Sequence, residues 1–539
     1  MTDRSEGSGR AEQRARLLRL GGVVLVVLVV GVTAVWVRRQ QVLLSGGFSA
    51  IGGYDDGVYF SAAQSLVHGR LPYRDFLFLQ PPGILIVLAP FAALAEHIGD
   101  GQAFTVARHA FVGLGGVNAA LIVLILKRLG LPAALTGGMF YAVFAPAAYA
   151  ERSTLLEPLG TLGVLLALLI LAQDGLATRA VGRLRTAWPV LAGLALAGAI
   201  GAKGWYLLPA AIIVLFQLRR ALPILAGMLL GGIALFGPFL VAGGGAMVRQ
   251  VVIDQLGRPR IPTDTVQKRL TGLLGVHTLP GTIPPQAAFW TIDTQILVFG
   301  LVALALAALA LTVRGARVWV VLLGVAIAVV VLVTPTFYLH YSALTSPPLA
   351  LVVGAGVHRV VAPLRRQGRR WPLTRGPGRR WRAVGWQGVR GAIAVALALG
   401  ALLVLHQPTY AVGSSRAIPV ARLRAAAAQV PGCVLSDDPS MLIEMNVVSR
   451  DLALGCTFRP DVTGYTYDAD AVPGPPVRQT NERWQRDLAA YLTSGDAFIL
   501  VRGATGISDA THAQLVRGPV LARVDQYFLH GVPPAGVSR

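Results

Sequence analysis

The chain has 539 residues, of which 54% are hydrophobic and only 14% charged. Soluble proteins carry about a quarter charged residues, so a water-soluble globular enzyme is excluded. A formal net charge of +22 invites nucleic acid, but ten arginines fall between residues 359 and 390, separating two apolar segments. That placement marks a cytoplasmic loop, and no groove-reading motif accompanies it, so a nucleic-acid partner is excluded.

Apolar segments that approach the roughly 20 residues of a membrane crossing recur along the chain. They fall at 17–37, 84–98, 104–126, 132–150, 154–173, 187–203, 205–218, 221–242, 293–313, 318–334, 337–357 and 391–406. The first follows Arg4, Arg10, Arg14, Arg16 and Arg19, against Arg38 and Arg39 after it. Residues 1–16 therefore read as a cytoplasmic tail, and the first span as an uncleaved anchor. Lys127–Arg128, the cluster Arg179, Arg183 and Arg185, Arg219–Arg220, Arg314 with Arg317, and the arginine-rich loop 359–390 mark the same side. One crossing is then too many. Segment 84–98 is short, follows Pro81–Pro82 and runs into Glu96, His97 and Asp100, so it is assigned as a juxtamembrane or re-entrant helix on the outer side.

The expected architecture is an all-α polytopic membrane domain, 17–407, with about eleven transmembrane helices and outer juxtamembrane helices. Its outer loops are 38–103 and 243–292, and a small extracytoplasmic α/β domain, 408–539, completes the chain. Within that domain the pattern predicts a helix near 417–430, a strand at Val434–Leu435 and a helix from Trp484 to Leu492. Strands follow at 497–501 and near 520–528. Cys433 and Cys456, the only cysteines, can pair as a disulfide outside the cytoplasm. Without supporting histidines they make a poor metal site. Asp437-Asp438-Pro439 reads as a helix start, and no catalysis is placed there. Lysine is confined to Lys127, Lys203 and Lys268, an arginine bias that suits a GC-rich bacterial genome such as an actinobacterium's. The chain is placed in a bacterial plasma membrane.

The most informative stretch is YDDGVYFSAAQSLVHGRLPYRDFLFLQPPG, Tyr54 to Gly83. Asp55 and Asp56 open a short helix that ends near Gly69. Carboxylates at a helix start favour its positive end, which accounts for one of them. The order acid pair, helix, Gly, Pro-Tyr, Asp, Pro-Pro resembles the first outer loop of the GT-C glycosyltransferases. The likeness is to the branch holding lipid A aminoarabinose transferases and protein O-mannosyltransferases, and it covers about 20–357.

The resemblance implies an inverting transfer of a sugar from a polyprenyl-phosphate donor to an extracytoplasmic acceptor: a cell-envelope glycan, a glycolipid or a protein. Asp55 matches the catalytic acid and Asp56 its neighbour; a carboxylate there accepts the proton of the attacking hydroxyl. In AERSTLLEPLG, Ala150 to Gly160, Glu157 matches an acidic residue that orients a sugar, with Glu151, Arg152 and Tyr59 as further candidates. A plain ion pair from Arg152 to either glutamate is the structural alternative. Lys203, in AIGAKGWYLLP, resembles a donor-phosphate lysine, though it could instead snorkel. Arg108 matches an arginine of the same family; Gln80 stands where some relatives carry a phosphate-binding lysine before Pro-Pro. His340 and Tyr341, in TPTFYLHYSALTSPPLALVVG, line the same face or belong to an aromatic belt.

No Gly-rich nucleotide loop and no HExxH motif occur. No cofactor is firmly expected, and a divalent cation held by Asp55 and Asp56 stays open. The alternative function is a lipid or solute transporter or flippase. Such proteins place polar groups near the bilayer midplane on repeated halves, whereas these candidates gather at one face. A scaffold for envelope assembly would leave the loop pattern unexplained.

Overall fold

The computed structural model describes residues 3–51, 53–172, 184–258, 264–275, 291–370, 417–467, 477–501 and 505–532. The expected last span, 391–406, and most of the arginine-rich loop lie outside these residues.

The first helix, α1 (Asp3–Leu44), runs past the expected end of its span. It continues because Arg38 is fully buried and bonded to Glu151, so its charge does not end the apolar run. Helices α2 (Tyr54–Val67), α3 (Gly83–Ile98) and α4 (Asp100–Leu126) follow. Expected span 132–150 is instead broken into α5 (Leu131–Val143) and α6 (Ala145–Glu151), bent by 60°. Next come α7 (Glu157–Ala172), α8 (Leu184–Ala202), α9 (Leu207–Leu215) and α10 (Ala221–Gly243). The set ends with α11 (Val266–Leu274), α12 (Ile292–Leu311), α13 (Arg317–Ala328) and α14 (Ser346–Arg370). Among the described residues five helices are long and apolar enough to cross a membrane, six with the bent pair, against the eleven spans expected. Five shorter apolar helices accompany them. Leu222, Leu229, Ile233 and Val241 on α10 are exposed, as a lipid-facing surface requires.

Helix α3 meets different elements at its two ends. Gly83 packs on the backbone at Gly201, so tightly that a Cβ would sit 2.5 Å from the Gly201 carbonyl oxygen. At the other end Gly99 turns at φ 87° and meets Asn446 of the C-terminal domain.

The C-terminal domain holds α15 (Val420–Ala427), β1 (Val434–Ser436), α16 (Pro439–Glu444), α17 (Val448–Ala453), α18 (Glu482–Leu492), β2 (Ala497–Ile499), α19 (Asp509–Leu515), β3 (Val520–Val524) and β4 (Tyr527–Gly531). The sheet order is β1-β2-β4-β3, with β1 and β2 parallel and the other pairs antiparallel. The single strand expected near 520–528 is thus a hairpin, turned by Asp525 at φ 55°, a conformation aspartate tolerates better than most residues. Cys433 and Cys456 form a disulfide. One apolar core runs from α2, α3 and α4 into this domain through Leu442, Ile443, Met445 and Val447.

Candidate active site

Helix α2 begins after Gly53, which offers no side-chain cap, and its first turn carries Asp55 and Asp56. The two carboxylates face different surroundings. Asp56 is 2% exposed. Its Oδ2 accepts from Arg108 Nε and Nη2 at 3.1 and 2.7 Å and from the Ser153 hydroxyl; its Oδ1 accepts the Gly57 N–H at 2.9 Å. The Asp55 side chain is 42% exposed. It opens on a cavity of about 260 Å³ whose lining includes Tyr54, Arg108, Tyr149, Arg152, Ser153 and His340.

His340 and Tyr338, from a distant part of the chain, also line the cavity, and a charged cluster stands beside His340. His340 Nε2 lies 3.9 Å from Asp55 Oδ2 and 3.8 Å from Glu157 Oε1. Glu157, at the start of α7, pairs with Lys203 Nζ at 2.5 Å. The ammonium sits 4.0 Å from the Trp205 ring and 4.3 Å from that of Tyr341, a box that fixes a cation. Tyr338 stacks on His340 at 5.6 Å. Desolvation holds the Asp55 carboxyl above its ordinary pKa; His340, Lys203 and Arg258 pull it down, and Asp461 adds to the rise. A carboxylate made more basic in this way is better matched to taking a proton.

Arg258 escaped the sequence reading. It lies over the Tyr467 ring at 4.5 Å, its charge reaches Asp55 and Lys203, and among the described residues its Nε has no hydrogen-bond partner. The signal that could have found it is a cation in a loop assigned outside, where positive charge is disfavoured.

The remaining candidates divide between the cavity wall and the protein interior. Glu151 belongs to a buried knot inside the bundle, accepting from Arg38 Nε at 2.7 Å, Asn118 at 2.6 Å and Tyr141 at 2.8 Å. Arg152 pairs with neither neighbouring glutamate. Its Nη1 donates to Ser45 Oγ at 2.6 Å and its guanidinium covers the Tyr149 ring at 4.3 Å, on the cavity wall. Tyr59 is buried edge-on to Phe78. Gln80 is outside the cavity lining, its backbone carbonyl accepting from the Tyr73 hydroxyl at 2.7 Å.

The segment from Asp437 to Leu442, read as a mere helix start, is packed behind the acid pair. Asp438 does cap α16, accepting the Ser440 N–H at 2.8 Å. A Cβ on Gly57 would lie 2.2 Å from Ser440 Oγ, so glycine permits this approach. Beyond it, Ser449 donates to Asp100, the Gly101 N–H to Asn446, and Tyr54 Oη to Asp461 at 3.2 Å. Buried carboxyls in an apolar-patterned segment were the available clue.

A cation shared by Asp55 and Asp56 does not fit, because both Asp56 oxygens are already bonded within the fold. Among the described residues no group of three or more His, Cys, Asp or Glu could hold a metal ion.

No protein-family model and no curated protein sequence matches the chain. Solved structures do. ArnT from Cupriavidus metallidurans bound to undecaprenyl phosphate aligns with a TM-score of 0.54 at 16% identity, over 96% of this chain and 98% of that one. Its apo form gives 0.53 at 17%, over 95% and 98%. The oligosaccharyltransferase AglB from Archaeoglobus fulgidus, in complex with an inhibitory peptide and a dolichol-phosphate, gives 0.53 at 12%, over 89% and 69%. The chain has the GT-C fold.

Proposed function

We propose that this protein is an inverting glycosyltransferase that moves a sugar from a polyprenyl-phosphate donor to an extracytoplasmic acceptor. The observation that carries the reading is the division of the acid pair: Asp56 is locked to Arg108 and Ser153, while Asp55 is presented to a cavity of monosaccharide scale. Such a pair uses one carboxylate to hold the other. The cationic side of Asp55, with Lys203 and Arg258, suits a lipid phosphate, matching the lipid phosphates bound by the two solved structures.

In the proposed step the acceptor hydroxyl loses its proton to Asp55 while its oxygen attacks the anomeric carbon. The bond from that carbon to the phosphate oxygen breaks, and the polyprenyl phosphate leaves with the electron pair. Attack opposite the leaving group inverts the centre. Lys203 and Arg258 stabilise the departing phosphate charge in a site of low dielectric. Glu157 holds Lys203 in place, and His340 bridges Glu157 and Asp55. Arg152, on the cavity wall, orients a sugar, and Tyr341 helps to hold Lys203. Arg108 fixes Asp56, and Gln80 leaves the cationic task to other residues, while Tyr59 is buried against Phe78 and supports the site from behind.

The test is transfer of labelled sugar from native polyprenyl-phosphate lipids to a membrane extract by the purified chain. Asp55→Asn is expected to lower turnover by about 10²–10⁴ while the protein stays folded. Full activity in Asp55→Asn removes the mechanism. Lipid flipping in liposomes without any sugar transfer replaces it by transport.

A further inference from the structure

Arg108 is shared between two halves of the molecule. From the membrane half, Asp56 Oδ2 takes its Nη2 at 2.7 Å. Its Nη1 donates to the carbonyls of Phe48, at 2.5 Å, and Ala50, at 3.2 Å. From the C-terminal half, Glu444 Oε1 stands 3.8 Å from that same Nη1. Glu444 is fully buried, at the end of α16, and among the described residues neither of its oxygens accepts a hydrogen bond. Arg424 on α15 lies 3.6 Å from its other oxygen, Oε2, and ties back to the Glu444 carbonyl through Nε at 2.6 Å. Gly101 on α4 leaves the room for this meeting, since a Cβ there would strike Arg424 and Glu444.

Resting on the transferase reading, we propose that Glu444 and Arg424 of the C-terminal domain are positioning residues for sugar transfer, acting through Arg108 on the acid pair of α2. A fully buried carboxyl whose two guanidinium neighbours stand beyond hydrogen-bond distance, at 3.8 and 3.6 Å, is biased toward its neutral form. While neutral it makes no claim on Arg108, which stays on Asp56 and keeps the first turn of α2, and hence Asp55, in place. Once ionised it draws Nη1 away from the Phe48 and Ala50 carbonyls and loosens that hold. The charged groups around it are Arg108 from α4, Arg424 from α15 and Asp56 from α2. Burial outweighs both arginines and pushes Glu444 up to about 8. The C-terminal domain thus tunes the active site from behind.

The experiment follows transfer rate against pH for the full chain in detergent with native lipid donor. In the wild type the rate falls above about pH 8, approaching tenfold per pH unit as one group titrates. Glu444→Gln abolishes this fall. Arg424→Gln removes a positive neighbour from Glu444, which favours its neutral form and moves the fall to higher pH. Melting temperature supplies a readout free of activity. A carboxyl whose pKa is raised by folding costs stability as pH climbs from about 4.3 to its folded value, after which the cost is constant. Wild type therefore loses stability relative to Glu444→Gln across that interval. An unmoved alkaline fall in Arg424→Gln, with or without a folded Glu444→Gln, overturns the proposal, as does a wild-type melting profile parallel to that of Glu444→Gln. No transfer by the wild type at any pH overturns the transferase reading and this proposal with it.

Discussion

Asp55 and Asp56 are chemically identical neighbours that the fold has made different. A helix advances about 100° per residue, so adjacent side chains point in different directions even where both border one cavity. Asp56 meets Arg108 and Ser153, and Asp55 meets the cavity. The proton-accepting form of Asp55 is the ionised one, and desolvation raises its pKa. Transfer is therefore expected to rise with pH through a limb above the ordinary aspartate value of about 3.9. His340 pulls that pKa down, so His340→Gln should move the limb further up. A pH profile of kcat/KM with no acid limb in either protein would remove Asp55 from the base role. At this scale the acid pair, Glu157, Lys203 and His340 could be picked from the sequence by motif and type. Arg258 stood out only by lying in a loop assigned outside, a placement it shares with Arg249 and Arg269, and nothing local marks it for the site.

Among the elements, α2 is the one most tightly specified by its neighbours. It is clamped between the bundle and α16, and the approach at Gly57 leaves no space for even a methyl group. Gly57→Ala is expected to destabilise by about 1–3 kcal/mol, as overpacking does, and to slow transfer by shifting the acid pair. Ser440→Ala should rescue it only in part, because the Ser440 N and Cα lie 2.8 and 3.0 Å from the added carbon. Thermal melting and transfer rate of the single and double variants decide this; an unaffected Gly57→Ala would show that α16 is free to recede. Amphipathic pattern and Pro-Pro marked where α2 and α3 begin and end. Their docking partner was hidden, being nearly 400 residues away in sequence.

Over the whole molecule, the C-terminal domain is built into the face that carries the acid pair through one continuous core and the contacts of Tyr54, Asp100 and Gly101. Its disulfide closes the segment from Cys433 to Cys456 that contains α16 and α17. A loop of that size stabilises by about 3 kcal/mol through restriction of the unfolded chain. Cys433→Ser with Cys456→Ser is expected to lower both the melting temperature and transfer activity, because the same segment supports α2. Retained activity with a lowered melting temperature would limit the bridge to a stabilising role. The membrane character, the apolar segments and the first-loop motif were settled by composition and local pattern, since a bilayer selects long apolar helices whatever their packing. Tertiary structure alone decided that Glu151 turns inward to Arg38 while Glu157 turns to Lys203, and that Asp56 is locked while Asp55 is open. The physical reason is that a buried charge is settled by whichever opposite charge reaches it, and those partners are brought together only when distant helices pack.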